Sequence, residues 1–227
     1  MFKLRKKIIL PLLALFTPLA LASEPTQSAN LTFLRMVDIG ISHIFSGTDH
    51  LLFILGIGLI PGVLANWRSE WLKILKLITA FTVGHAASIV LGYFEIISLS
   101  SLFVELGIAL SIAIIGVENI LAQKGRYNLS IDRRMIVLGF FGLIHGLGFA
   151  GVLNGLTLPQ GKEALLLLGF NIGVELGQVF WKIGVSIALI GLIYKLGEGK
   201  VINYTSAFIF LSGCYWFVFR LVEALVF

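Results

Sequence analysis

Long apolar runs set the fold class of this chain. Six segments approach or exceed the about 20 residues that an α-helix needs to cross a bilayer. These segments are Thr48–Ala65, Trp71–Phe94, Ser101–Ala122, Arg134–Leu156, Glu163–Lys195 and Val201–Phe227. Because lipid cannot satisfy backbone hydrogen bonds, segments of this length form helices. The sequence therefore predicts an all-α, polytopic membrane protein whose six transmembrane helices form a bundle in contact with the lipid bilayer.

Composition and charge agree with this class. The chain is 58% hydrophobic and 13% charged, against about 45–50% and 25% in soluble domains. Its net charge of +5 comes largely from the N-terminal residues and short loops, so it indicates topology and predicts no nucleic-acid partner. The single cysteine, Cys214, allows neither an intrachain disulfide nor a thiolate cluster. Any metal must be bound by His, Asp, Glu or Asn.

The N-terminus has the pattern of a secretory signal peptide. Four basic residues precede the apolar run Ile8–Leu21. The sequence Ala20-Leu21-Ala22 before Ser23 has the small residues that mark the cleavage site of a signal peptide. Residues 1–22 are thus predicted to be removed, which leaves 23–227 as one membrane-embedded helical domain with its N-terminus outside the cytoplasm. The alternative is an uncleaved first helix.

The loop charges predict the same orientation. Nine basic residues lie in or beside the first, third and fifth connections, and only Lys162 lies in the second or fourth. The nine are Arg68, Lys73, Lys76, Lys124, Arg126, Arg133, Arg134, Lys195 and Lys200. Positive loops stay in the cytoplasm, so the sequence predicts a multi-pass protein of a bacterial-type inner (plasma) membrane.

Polar side chains inside these apolar segments are the candidate functional residues. All four histidines lie in or next to a segment, accompanied by acidic and amide groups, and such groups are costly in lipid and mark functional sites. The candidates are His43, Asp49, His50, His85, Glu105, His145, Asn171 and Glu175. Imidazole with carboxylate suits nickel, cobalt or zinc, whereas the absence of thiolate disfavours Cu(I). A purely structural polar network is the alternative.

The stretch around Gly47 predicts a break between two helices. Ser46 or Thr48 can cap a helix and Gly47 can supply a turn, so we expect a short entry helix carrying His43 and then a spanning helix that opens at Asp49-His50. This places Asp49, His50 and Glu105 at the outer membrane end, with His85, His145 and Glu175 about 13–18 Å deeper. Asp49 could instead merely cap the helix.

Two further patterns concern packing. The ridges Gly84-x-x-x-Ser88, Gly142-x-x-x-Gly146 and Gly169-x-x-x-Gly173-x-x-x-Gly177 predict close helix approach and could also join copies of the chain into a homo-oligomer. Glu175 lies two turns before Lys182, so it is either a ligand or the ion-pair partner of that lysine; we predict a ligand.

Five ordered motifs between Leu34 and Lys195 resemble the HupE/UreJ family of membrane proteins. They are His43-x₅-Asp49-His50-Leu-Leu-Phe, Phe81-Thr-x-x-His85-x-x-Ser88, Glu105-x-x-Ile108-Ala-Leu-Ser-Ile, Phe141-Gly-Leu-x-His145-Gly-x-Gly148-Phe-Ala and Gly169-Phe-Asn171-x-Gly173-Val-Glu175-Leu-Gly-Gln178. The resemblance implies a hydrogenase or urease accessory protein that acts as a nickel or cobalt permease, and it maps the family pattern onto the eight candidates.

Three function classes follow. The leading hypothesis is a permease that binds a divalent nickel- or cobalt-type ion and passes it inward from the outer half of the membrane. The alternative is an intramembrane zinc-dependent hydrolase in which Glu105 or Glu175 activates water. The third class is a haem protein with His85 and His145 as axial ligands.

Overall fold

A computed structural model describes residues 31–59, 67–126, 130–156 and 158–226. Within these ranges the regular structure is entirely helical. The helices are α1 (Phe33–Ser46), α2 (Thr48–Ile57), α3 (Trp67–Tyr93), α4 (Ser101–Gln123), α5 (Ile131–Asn154), α6 (Glu163–Leu196) and α7 (Glu198–Val226). Helices α3 to α7 are each long and apolar enough to cross a membrane. The predicted all-α membrane class is confirmed; the predicted signal peptide lies outside the described residues.

The first predicted segment differs most from the structure. Instead of one span over Thr48–Ala65, α1 and α2 form a pair bent by 80° at Gly47. Helix α2 has ten residues and is therefore about 15 Å long, half of the roughly 30 Å apolar thickness of a bilayer. The predicted break is confirmed, but the helix after it is a half-helix up to Ile57. Residues 60–66 lie outside the described ranges.

Three tightly packed helix pairs build the bundle: α1 with α6, α3 with α5, and α4 with α7. Glycines allow each close approach, because a Cβ at Gly173 would lie 2.1 Å from the carbonyl oxygen of Val37 and one at Gly84 would lie 2.0 Å from that of Gly139. Gly213, which the sequence analysis did not single out, packs in the same way against Ala113. The predicted ridges therefore act within the chain, and the homo-oligomer stays a prediction.

The contact between α3 and α5 yields a direct test. A Cβ at Gly142 would lie 2.1 Å from the Phe81 carbonyl oxygen, so Gly142→Ala must separate the two helices. We expect the free energy of unfolding in detergent to fall by at least about 1–3 kcal/mol. Gly151→Ala, on the same helix, is the matched control because nothing lies within 4 Å of its added Cβ. Equal stability of the two variants would contradict this packing.

The half-helix α2 occupies the centre of the bundle. In the described part of the fold its backbone lies close to every other helix except α5, which it meets through side chains such as Phe53 and Phe141. Its residues Phe53 and Ile57 are fully buried in an apolar core with Leu77 of α3, Ile112 of α4 and Ile209 of α7. This burial fixes α2, and with it the direction of the side chains at its N-terminus.

Candidate metal centre

The bend at Gly47 brings the four histidines together. His43 lies in the last turn of α1 and His50 in the first turn of α2, and their ring centroids are 4.6 Å apart. The ring of His85 on α3 lies 5.8 Å from that of His50, and the ring of His145 on α5 lies 5.2 Å from it. Histidines that are separated in sequence thus form one cluster around His50.

The cluster contains two overlapping ligand triads. The triads are His43/His50/His85 and Asp49/His50/His145, and within each triad one ligand atom per residue lies within 4.8 Å of the others. Asp49 approaches His50 Nδ1 at 3.3 Å and His145 Nδ1 at 3.9 Å. Since metal–ligand bonds of about 2.0–2.2 Å place ligand atoms roughly 3.4 Å apart in a tetrahedral site, small side-chain movements would complete either triad.

Gly47 contributes to this geometry by lacking a side chain. A Cβ at this position would lie 2.7 Å from His50 Nδ1 and 2.9 Å from Asp49 Oδ1. The glycine therefore leaves room for two candidate ligand atoms. A larger residue here would have to push these atoms away from the centre of the cluster.

Most ring nitrogens of the cluster are buried without a regular hydrogen bond. His85 is 0%, His145 1% and His50 4% exposed. Six buried ring nitrogens form no hydrogen bond of regular geometry within the described ranges, although Asp49 lies 3.3 Å from one of them, His50 Nδ1. The six are His43 Nε2, both nitrogens of His50, both of His85, and His145 Nδ1. Buried polar atoms are normally well hydrogen-bonded, so six nitrogens without a regular hydrogen bond in one place are the pattern expected of ligand atoms that an ion would satisfy.

Ser111 on α4 orients His145. The Ser111 hydroxyl donates to the Ile108 carbonyl at 2.7 Å and lies 2.9 Å from His145 Nε2. With its single proton directed to the Ile108 carbonyl, the hydroxyl is available to accept from the Nε2–H tautomer of His145. His145 Nδ1 then carries the free lone pair that faces Asp49, which is the form a metal ligand needs.

Replacing this serine tests the orientation. We expect Ser111→Ala to weaken divalent-metal binding by about 10–100-fold, the range typical for an outer partner of a ligating histidine. The measurement is calorimetric titration of purified protein with Ni²⁺ or Co²⁺. Ser88→Ala is the matched control, because Ser88 is equally buried and donates only to the His85 carbonyl. Unchanged binding in Ser111→Ala would contradict the role.

Aromatic rings enclose the cluster on two sides. On one side, Phe149 and Phe170 are stacked at 5.0 Å, and the ring of His43 lies 4.0 Å from Phe149. On the other, Phe53 lies 4.9 Å from Phe81 and 5.0 Å from His145. This apolar shell limits water access to the polar atoms, which strengthens their interaction with a bound cation.

Glu105 lies apart from the cluster. Its carboxylate pairs with Arg220 Nε at 3.0 Å, and Arg220 also pairs with Glu223 at 2.9 Å. Glu105 is 40% exposed and lines a cavity of about 470 Å³ near the Tyr93 end of α3. The structure does not bring Glu105 to the histidines, and its role as a ligand stays a prediction.

Asn171 and Glu175 of α6 have different surroundings. The amide nitrogen of Asn171 donates to the Leu167 carbonyl at 2.8 Å, and the side chain interacts with His85. Glu175 instead accepts a 2.6 Å hydrogen bond from Thr79 on α3. Asn171 thus borders the cluster, and Glu175 lies outside both triads.

The ion pair considered between Glu175 and Lys182 is not formed. Lys182 is 1% exposed and pairs with no carboxylate in the described part of the chain. One turn after Glu175, Gln178 accepts from Thr82 at 3.0 Å. Glu175 and Gln178 of α6 therefore bond to threonines of α3. Thr79 was not singled out from the sequence, and Thr82 appeared there only within the Phe81 motif.

The depth of the first motif was predicted wrongly. Contacts of Phe33 with Gly169, Val37 with Gly173 and Ile44 with Gly177 advance together along α1 and α6, so α1 runs beside α6. The break therefore lies level with Gly177, 14 residues and about 21 Å along α6. Asp49 and His50 lie inside the bundle beside His85 and His145, not at a separate outer entrance.

A second polar group surrounds the other end of α2. Asn119 donates to the Gly56 carbonyl at 2.8 Å and accepts from Arg134 at 3.0 Å, while Arg134 pairs with Glu118 at 3.0 Å. The pair is nearly buried, with side chains 11% and 9% exposed. Glu118 and Asn119 are therefore not an ordinary exposed helix end, because they link α4, α5 and the half-helix.

Comparison with known proteins identifies the family. The family model described as HupE / UreJ protein matches residues 21–220, which is most of the chain and includes all of the motifs above. No curated protein and no solved structure matches. The matched region contains both ligand triads and all of the helices except the end of α7. The chain therefore belongs to the HupE/UreJ family.

Proposed function

We propose that the protein is a permease for a divalent transition-metal ion of the nickel or cobalt type. The observation that carries this proposal is the pair of triads that share His50 in the interior of a membrane bundle. Family membership and the resemblance to nickel and cobalt permeases support the same function. The transported ion is the substrate of these residues rather than a permanent part of the protein.

The donor set favours ions of intermediate softness. Four imidazoles and the Asp49 carboxylate converge, and the only cysteine, Cys214 on α7, is not part of the group. Such nitrogen-rich sites suit Ni²⁺, Co²⁺ and Zn²⁺, whereas Mg²⁺ and Ca²⁺ prefer oxygen ligands. The enclosed, apolar surroundings add to this preference because they disfavour an ion that keeps its water shell.

The shared histidine offers a route for movement. An ion held by one triad can pass to the other by exchanging two ligands while His50 remains bound. Each step then replaces one metal–ligand bond at a time, and the ion is never left without ligands in a dry site. A single closed site, in contrast, would hold the ion in the manner of a structural metal.

The charge distribution supports inward transport. In the predicted orientation, the basic connections around Lys124 and Lys195 face the cytoplasm. Helix α2 then leads from the cluster toward that side, and the Tyr93 end of α3 faces outside. The mature N-terminus is proposed to lie outside the cytoplasm, in a bacterial-type inner membrane.

The two other function classes have less support. For the hydrolase, the two carboxylates considered for activating water lie outside the triads. Glu105 pairs with Arg220, and Glu175 accepts a hydrogen bond from Thr79. For haem, the ring of His50 lies 5.8 Å from His85 and 5.2 Å from His145, and Phe81 lies 5.9 and 5.2 Å from the same two rings. These side chains fill the space that a macrocycle would need between axial ligands.

Transport is tested in liposomes that contain purified protein and an internal metal-quenched fluorophore. We expect external Ni²⁺ or Co²⁺ to enter at least about tenfold faster than into protein-free liposomes. Glu223→Gln, which removes an exposed carboxylate of α7, is the control for handling of the protein and is expected to keep this rate. Metal binding without entry would contradict a permease, and stoichiometric zinc with turnover of a peptide or lipid would favour the hydrolase.

A further inference from the structure

The most unusual charged residue outside the cluster is Lys182. Its side chain lies within α6, is 1% exposed, and forms no ion pair with a carboxylate in the described ranges. Residues 60–66, which follow α2, contain no Asp or Glu. Lysines in membrane helices usually extend their ammonium group toward water. This ammonium is instead kept inside the protein, so a specific group must hold it there.

The ammonium lies at the C-terminal end of the half-helix. A Cβ built on Gly58, the residue after α2, would lie 1.7 Å from Lys182 Nζ and 2.1 Å from Cε. The ammonium therefore occupies the space that a side chain at position 58 would fill. A glycine at this position is what allows the lysine to reach the helix end.

The end of α2 is electrically suited to a cation. The last four carbonyls of a helix have no partner within the helix, and together they carry a partial negative charge. The Gly58 N–H bonds to the Gly56 carbonyl, which shows that the regular pattern stops here. Asn119 donates to that same carbonyl. In transporters built from broken helices, such carbonyl ends are where free monovalent cations bind.

We propose that the C-terminal end of α2 is a cation site whose resident cation is the Lys182 ammonium. A covalently attached cation is always present, so the broken helix keeps its negative end compensated without a bound Na⁺ or K⁺. The site is distinct from the histidine cluster, because α2 separates the two by about 10 Å from His50 to Ile57. The proposal concerns the stability of the half-helix and does not depend on transport of a divalent metal.

The test removes the ammonium and offers a free cation in its place. Lys182→Met keeps most of the side-chain length, and its melting temperature is compared with that of the wild type in choline, sodium and potassium chloride at equal ionic strength without divalent metal. We expect the wild type to melt at the same temperature in all three salts. The variant should melt about 4–8 °C lower in choline and recover in a saturable manner with Na⁺ or K⁺.

Several results would overturn the proposal. The first is that Lys182→Met melts at the wild-type temperature in choline chloride. The second is that its melting temperature falls equally in all three salts. In either case the lysine would merely fill space. If Lys182→Met does not fold, Gly58→Ala serves instead, since its methyl group displaces the ammonium while keeping the charge. It should lower the melting temperature, whereas Gly184→Ala, with nothing within 4 Å, should not. Equal melting of these two glycine variants would also refute the site.

Discussion

His50→Ala is expected to abolish high-affinity metal binding, because His50 is the one residue common to both triads. His85→Ala and His145→Ala should each keep measurable binding, since each leaves one triad complete. We expect at least about a 100-fold loss of Ni²⁺ or Co²⁺ affinity for His50→Ala, beyond the 10–100-fold typical of losing an outer partner. Calorimetric titration of the three purified variants gives the comparison.

A fourth variant separates binding from folding. His50→Phe keeps an aromatic ring at this buried position but supplies no ligand nitrogen, so it should bind as weakly as His50→Ala while melting closer to the wild type. If all three histidine-to-alanine variants lose affinity equally, the cluster is a single four-histidine site. The route by exchange between two triads would then be wrong.

Arg134→Met is expected to cause the largest loss of stability. The substitution leaves the nearly buried Glu118 carboxylate without its arginine and removes a donor to Asn119. Breaking a buried ion pair from one side typically costs about 3–5 kcal/mol. Unfolding of the purified protein in mixed detergent micelles, followed by circular dichroism, measures this loss.

The double variant Arg134→Met/Glu118→Met provides the check. Because it removes both charges and keeps apolar volume, it should recover much of the lost stability. If the double variant is less stable than Arg134→Met, the two effects are independent. The 3.0 Å contact between Arg134 and Glu118 would then contribute little to the fold.

The long helices could be predicted because their cause is local. A run such as Ser101–Gln123 must satisfy its backbone within the segment in lipid, whatever its neighbours are. The glycine ridges could be predicted for a similar reason, since a residue without a Cβ lets two helix backbones approach closely. Gly173 and Gly142 indeed lie at the closest contacts.

The partners of polar side chains could not be predicted in the same way. Glu105 and Glu175 were both grouped with the histidines because each lies in an apolar segment, yet Arg220 holds one and Thr79 the other. These partners are 115 and 96 residues away in the chain, and only the packing of helices decides which groups meet. Ser111 was quoted within a motif, but its bond to His145 depends on the same packing.

The depth error has a specific physical source. A hydrophobic run predicts that a helix crosses the membrane, but it does not predict that the preceding amphipathic helix enters the bundle beside a neighbour. The glycine at position 40 of α1 would place a Cβ 2.1 Å from the Phe170 carbonyl, which shows how closely α1 follows α6. This contact carries His43 inward to meet His50.

The division of the bundle into three helix pairs has a consequence for assembly. His43 comes from the α1–α6 pair, His85 and His145 from the α3–α5 pair, and Ser111 from the α4–α7 pair. An ion bound by these histidines would add a crosslink between pairs that already meet through apolar contacts and a few polar ones, such as Thr79 with Glu175 and Arg134 with Glu118. Because a ligand that binds only the assembled state shifts folding toward it, metal supply would help to control how much assembled protein a membrane contains.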